Sequence, residues 1–197
     1  MRDEACEGPV LSRRSILMAA AASLAVPRAG RAQDRWPPVF EAGRSQFTVV
    51  RPRASMPQLR LQDVRGRDAI VTAKPSRITL VNFWATWCAA CKLDLPMLAS
   101  LAGSRPDRLD IVAICTDTKD LRKIRAFLSG LAVQNLACYV DTYGAAAEAS
   151  TTMFSLVGMP ITYLVGTSSR IEGYIAGAPD WLSPAGARLL QFYREQD

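Results

Sequence analysis

The apolar positions of this chain fall into short blocks whose period changes along its length. Ile16–Val26 is a run of eleven residues, apolar except for Ser23. A helix that crosses a bilayer needs about 20 apolar residues, so this run is too short to span. From Gln33 to about Met56 the chain carries Pro37, Pro38, Pro52 and many Arg with no clear period, and reads as a linker or loosely attached arm. Leu59–Asp63 alternates as a strand does, and a turn follows at Arg65-Gly66-Arg67. Ile78–Trp84 is a continuous apolar, β-rich run, the mark of a buried central strand. Ala89–Leu101 then reads as a helix, and Pro96 should kink it by removing a backbone donor and crowding the preceding turn.

The alternation of strand and helix continues. Asp110–Ile114 is a strand, and Leu121–Leu131 is an amphipathic helix with Leu121, Ile124, Leu128 and Leu131 on one face. Ala137–Val140 is a short strand and Ala145–Met153 a short Ala-rich helix. Ile161–Val165 and Ile171–Ala176 are two strands at hairpin spacing, and a last helix runs from about Ser183 to Arg194 with Leu189, Leu190 and Tyr193 facing in. Parallel β-α-β units followed by a hairpin and a helix predict an α/β domain over residues 57–197, a mixed β-sheet flanked by helices on both faces. Residues 33–56 form the arm and residues 1–32 a separate leader.

That leader reads as an address. Arg13 and Arg14 precede the apolar run, small residues follow it, and Gly30 and Ala32 suit the −3 and −1 positions of a cleavage after Ala32. The paired arginines, with Arg28 close behind the run, point to a twin-arginine export signal, although Ile16 and Met18 stand where Phe and Lys are commonest. The alternatives are a disordered basic N-terminus or an uncleaved anchor that would hold the protein at a membrane. The expectation is a periplasmic or otherwise exported protein. Cleavage would remove Cys6 and leave Cys88, Cys91, Cys115 and Cys138 in an oxidising compartment, where disulfides persist.

Composition narrows the chemistry. With 197 residues and 49% hydrophobic content the chain can bury a core. It has no His, which excludes Ser-His-Asp and Cys-His catalysis, His-ligated metals and haem attachment through C-x-x-C-H. The formal charge is +6, or +4 after cleavage, from 19 Lys and Arg against 15 Asp and Glu. The basic residues are scattered, and nucleic acid is not an expected partner. Arg122, Lys123 and Arg125 read as a wet helix face rather than an anion site.

The chemistry concentrates at Trp87-Cys88-Ala89-Ala90-Cys91, where a buried strand ends and a helix begins. Unpaired N–H groups and the partial positive charge of a helix start favour an anion, so a thiolate at Cys88 should form at lowered pKa. Two intervening residues let Cys91 reach Cys88 within one helical turn. Cys88 can then attack a partner disulfide, and Cys91 can release the mixed disulfide. C-x-x-C also marks half of many zinc sites, or a merely structural disulfide. Here no second C-x-x-C exists, and Cys115 and Cys138 stand alone on strands. These two read either as buried free thiols or as a second disulfide, Cys115–Cys138.

The segment Val81-Asn82-Phe83-Trp84-Ala85-Thr86-Trp87-Cys88-Ala89-Ala90-Cys91-Lys92 resembles the active-site segment of the thioredoxin superfamily, and its Asn82 and Ala-Thr-Trp-Cys run resemble the TlpA/ResA-like branch of exported thiol–disulfide oxidoreductases. The resemblance implies a thioredoxin-like fold from roughly Leu59 to the C-terminus. It makes Cys88 the exposed attacking cysteine and Cys91 the buried resolving one. Asp94 matches an acidic residue, commonly Glu, three places after the second cysteine, where its carboxylate could exchange protons with Cys91 or raise a thiol pKa by charge repulsion; the plainer reading is a solvated surface acid. Asn82 stands where cytoplasmic thioredoxins carry a buried Asp. Gly158-Met159-Pro160-Ile161-Thr162 matches the loop whose cis proline lies beside the disulfide and whose preceding backbone, here Met159, pairs with substrate. Trp84, Trp87, Phe83 and Tyr163 belong to the core or the rim of the site. Ala90 replaces a proline common in the branch, which leaves the direction of electron flow open.

The resemblance implies an enzyme that reduces selected protein disulfides, such as those of haem-attachment apoproteins in cytochrome c maturation or of copper-site cysteines. It also implies a membrane electron donor of the DsbD/CcdA type, because a reductase in an oxidising compartment needs a supply of electrons. A monomer without cofactor or resident metal is expected. The alternative is a metal-handling module in which Cys88 and Cys91 bind Cu(I) or Zn as thiolates.

Overall fold

The computed structural model describes residues 36–196 except 43, 44, 105, 132, 147–153, 155 and 157. Its spine is β5 (Ile78–Trp84), all seven residues of which are buried. The apolar run is continuous because both faces are covered and both edges are paired. Parallel β6 (Leu109–Cys115) lies on one side and antiparallel β8 (Ile161–Val165) on the other. Beyond β6 come β7 (Ala137–Val140), β3 (Leu59–Asp63) and β4 (Asp68–Val71); beyond β8 come β9 (Ile171–Ala176), β2 (Ser45–Val49) and β1 (Glu41–Ala42). β5, β6 and β7 are mutually parallel and the other pairings antiparallel, so the sheet is mixed as expected.

Three helices are seen among the described residues: α1 (Cys91–Gly103), α2 (Leu121–Ser129) and α3 (Pro184–Arg194). The crossovers β5–α1–β6 and β6–α2–β7 step the same way across the sheet. Right-handed connections therefore place both helices on one face. There Leu95, Leu98, Ile124, Leu189, Leu190 and Tyr193 pack over Leu80, Trp84, Ala113 and Leu164. The indole of Trp84 stacks on Phe127 of α2, with centroids 5.2 Å apart. α2 starts at Asp120, whose carboxylate accepts from the Arg122 and Lys123 N–H groups, and α3 starts at Ser183, with Pro184 in the first turn. The opposite face buries Val81, Phe83, Ile114, Tyr163 and Phe154. The helix expected over Ala145–Met153 lies, beyond Ala146, outside the described residues, as does the leader.

Several expectations need correction. Part of the stretch read as a loosely attached arm is sheet: Phe47, Thr48 and Val49 pair with Ile175, Tyr174 and Gly173. Further on, the Met56 N–H donates to Ser169 O and the Ile171 N–H to Ala54 O. Arg53 also reaches the buried carboxylate of Glu172 at 3.3 Å. The arm escaped notice because an outer strand that packs only one face through Phe47 has a weak period. β4 closes a hairpin onto β3 that the turn at Arg65-Gly66-Arg67 announced without its second strand. α1 begins two residues later than expected and runs through Pro96 to Gly103. α2 ends at Ser129, two residues early.

Candidate active site

The site forms where the central strands end. β5 stops at Trp84, residues 85–90 turn, and α1 starts at Cys91. Cys88 and Cys91 are joined as a disulfide, with Cα atoms 5.3 Å apart. The Cys91 N–H, one of the unpaired donors of the helix start, points at Cys88 Sγ from 3.1 Å. That donor would stabilise a thiolate at Cys88 once the pair is reduced.

The expectation of an exposed Cys88 is not met. Cys88 is 4% accessible, against 0% for Cys91, and the exposed group beside it is Trp87, at 70%. The Cys88 sulfur is bonded to Cys91 and belongs to the cluster that also holds Trp84 and Leu95.

Asp94 lies in the first turn of α1 and is fully buried, so the reading as a solvated surface acid fails. Burial raises its pKa from 3.8 to about 7, against the lowering effect of one hydrogen bond from Asn82. Asn82 belongs to β5. Its alternation with Leu80 and Trp84 turns it to the face that α1 covers. The Asn82 Nδ2 group donates to Asp94 Oδ2 at 2.7 Å and to Thr162 Oγ1 at 2.9 Å. Thr162 is its cross-strand partner on β8. Asp94 Oδ1 and Asn82 Oδ1 are buried and accept no hydrogen bond.

The Met159–Pro160 bond is cis, as the resemblance implied. Register places it beside the disulfide loop: Ile161 pairs with Phe83, so the residues before Ile161 run past the end of β5. Met159 is half-buried and packs against the cores on both faces.

A second carboxylate holds the loop from the other side. Asp117, just past β6, accepts from the Thr86 N–H at 3.0 Å, the Thr86 hydroxyl at 2.7 Å and the Cys115 thiol at 3.1 Å. Burial acts to raise its pKa, but the two bonds from Thr86 help hold it below the usual carboxylate range. Sequence reasoning missed this clamp. Its only signal was an acid just past a parallel strand that neighbours β5.

Cys115 and Cys138 are free and buried, which corrects the second disulfide in favour of two thiols. Across β6 and β7, Cys138 pairs with Ala113 and Cys115 with Val140, so the cysteines are diagonal neighbours. Diagonal Cα atoms stand about 7–8 Å apart in a sheet, beyond easy disulfide reach. Burial pushes both thiols up to about 12, with Asp117 adding to the effect at Cys115. Among the described residues no group of three or more His, Cys, Asp or Glu side chains is placed to hold a metal ion.

Comparison with known proteins agrees with this geometry. The thioredoxin family model matches residues 67–127, from the end of the β3–β4 turn through most of α2. The chain has a thioredoxin-like fold. It is 24% identical over 123 residues to the thioredoxin-like protein YneN of Bacillus subtilis, covering 61% of this chain and 69% of that one. It is 34% identical over 119 residues to the thiol:disulfide interchange protein CycY of Rhizobium leguminosarum, covering 60% of this chain but 55% of that one. A thiol:disulfide interchange protein of Chlorobium tepidum shares the fold, with a TM-score of 0.58 at 16% identity, covering 72% of this chain and 98% of the other. With the Cys88–Cys91 pair, these relatives support thiol–disulfide oxidoreductase chemistry for the domain.

Proposed function

We propose that the protein is an exported thiol–disulfide oxidoreductase that reduces selected protein disulfides through a Cys88/Cys91 dithiol. The observation that carries this reading is the Cys88–Cys91 disulfide at the start of α1, with the Cys91 N–H directed at Cys88 Sγ. In the reduced protein a Cys88 thiolate attacks a substrate disulfide and expels one substrate thiolate. Cys91 then gives its proton to the Asp94 carboxylate, attacks Cys88 Sγ and releases the second substrate sulfur. Asp94 suits that task because its pKa, raised to about 7 by burial, allows it to take and return a proton near neutrality. Trp87, exposed beside the pair, and the Met159 backbone at the cis proline offer the substrate a docking surface.

Export rests on the twin arginines and the short apolar run of the leader, with cleavage near Ala32. The resemblance to the TlpA/ResA-like branch supports clients in cytochrome c or copper-site maturation and recharging by a membrane donor of the DsbD/CcdA type.

Trapping tests the assignment. Cys91→Ser should accumulate a mixed disulfide with a disulfide-bonded reporter protein, and Cys88→Ser should accumulate none. Full activity of Cys88→Ser would refute the roles. Equilibration of the pair with glutathione tests the direction: a potential of about −270 mV or lower supports a reductase, and one near −120 mV would make the protein an oxidant.

A further inference from the structure

Asn82 and Asp94 share a structural problem that one proton solves. Asn82 Nδ2 donates to Asp94 Oδ2 at 2.7 Å. The remaining oxygen of each side chain is buried and accepts no hydrogen bond. A carboxylate offers no proton to either oxygen and leaves a charged Oδ1 unpaired, a costly state away from water. A neutral acid behaves differently. Oδ2 stays the acceptor of the Asn82 amide, which makes Oδ1 the hydroxyl, and that hydroxyl needs an acceptor. Asn82 Oδ1 is an unsatisfied acceptor on the side chain already bonded to Asp94.

We propose that Asn82 is a positioning residue that pairs with Asp94 as a neutral carboxylic acid, its Nδ2–H donating to Oδ2 and the acid O–H on Oδ1 donating back to Asn82 Oδ1. The inference rests on the exchange reading above and adds where the proton is kept. Around Asp94, α1 contributes Cys91 one turn earlier, which carries no proton while the disulfide is closed, β5 contributes Asn82 and β8 the neutral Thr162, bonded to the same amide. Burial and the Asn82 amide are the influences on the Asp94 carboxyl, and no charged side chain is among them.

The proton balance fits the redox cycle. In the resolving step Cys91 S–H loses its proton to Asp94 Oδ1, its sulfur bonds to Cys88 Sγ, and the bond from Cys88 to substrate breaks with its electron pair on the substrate sulfur. The product is a disulfide beside a neutral acid, the state for which the Asn82 amide is shaped. When a donor reduces the pair, the same hydroxyl returns the proton to Cys91. Thr162 takes the second Nδ2–H and so fixes the orientation of the amide, which leaves Oδ1 as its free acceptor.

Infrared spectroscopy of the full chain with the disulfide closed tests this. At pH 5 the wild type should show a protonated-carboxyl carbonyl band that is missing in Asp94→Asn and fades around pH 7. Its wavenumber should be lowered by two hydrogen bonds. In Asn82→Leu the band should move up toward that of a free buried acid, with its midpoint above the wild-type value because the carboxylate has lost its donor. Should that variant not fold, the wild type decides by NMR: the Asn82 side-chain NH2 signals must shift with the same midpoint as the Asp94 band. A band already at the free-acid position, or Asn82 signals that ignore the Asp94 titration, would overturn the pairing. Turnover of the reduced wild type on a disulfide reporter is measured alongside. Normal turnover with the pairing signature missing refutes this inference alone, whereas absent turnover with the signature present refutes the exchange reading.

Discussion

Replacing Asp94 with Asn should make the oxidised protein more stable at alkaline pH and leave it almost unchanged in acid. The native carboxyl titrates at about 7 because it is buried, whereas an unfolded Asp titrates near 3.8. Below the lower value both states hold the proton and Asp94 contributes no pH dependence. As pH rises through the window the unfolded chain ionises first while the native protein keeps its proton. Stability therefore falls with pH until the native carboxyl also ionises. The gap between 3.8 and about 7 corresponds to about 4 kcal/mol, at 1.36 kcal/mol per pH unit. Asn keeps the shape, still accepts from the Asn82 amide and carries no charge. Denaturant unfolding of both proteins between pH 4 and pH 8, followed through the buried Trp84 and Trp181, measures the difference directly. Other carboxylates titrate in both proteins and cancel. The variant should gain on the wild type by about 4 kcal/mol across the range. A difference that stays flat would show that Asp94 is not held neutral, and the proton-transfer step would lose its basis.

Other perturbations test the frame around the site. A Cβ at Gly173 would stand 2.3 Å from Thr48 O and 2.4 Å from the Phe47 ring, so Gly173→Ala should lift β2 off β9 and cost about 1–3 kcal/mol by overpacking, measured by denaturant unfolding. Asp117→Ala strands three donors, two on Thr86 and one on Cys115; it should cost about 1–3 kcal/mol and slow the exchange reaction, while Asp117→Asn should recover part of both. Alkylation mapped by mass spectrometry should leave Cys115 and Cys138 unmodified in the native protein and label both in denaturant without reductant. If either resisted labelling in denaturant, the two would be bonded after all.

Elements with both faces buried could be read from the chain. β5, β8 and β9 lie where their apolar runs put them, because an inner strand of a mixed sheet is covered on both sides; β7 also lies where its run put it, with only Cys138 and Val140 buried. The outer strands were harder to read. β2 buries Ser45 and half-buries Phe47 and Val49 beside two exposed positions, so its period is faint, and what fixes it is pairing with β9, more than a hundred residues away. β4 is likewise set by its partner: its register on β3 decides its extent. Helix limits shifted by about two residues because the loop at 85–90 completes its turn before α1 forms its first helical bonds.

The cysteine pair was legible because the chemistry needs two sulfurs at a fixed interval, and an interval is a property of sequence. The proton site was only half legible. Asp94 is three residues from Cys91, so its face could be read from helical spacing, but its burial could not: Cys91, Asp94, Leu95 and Leu98 are buried while Lys92 and Leu93 between them are exposed. Burial under the packed sheet makes this Asp titrate near 7, against the lowering effect of Asn82, and the groups around it come from other strands. Asn82 arrives from β5 and Thr162 from β8, eighty residues later in sequence than Asn82, and they meet because the two strands pair at that register. The same holds for Asp117, which reaches Thr86 because β6 runs parallel to β5 and ends level with it, Cys115 opposite Trp84. The reacting sulfurs are thus local, and the groups that govern their protons and hold their loop are not. A substitution at Asn82 or Asp117 should therefore change the chemistry of a motif that it leaves intact.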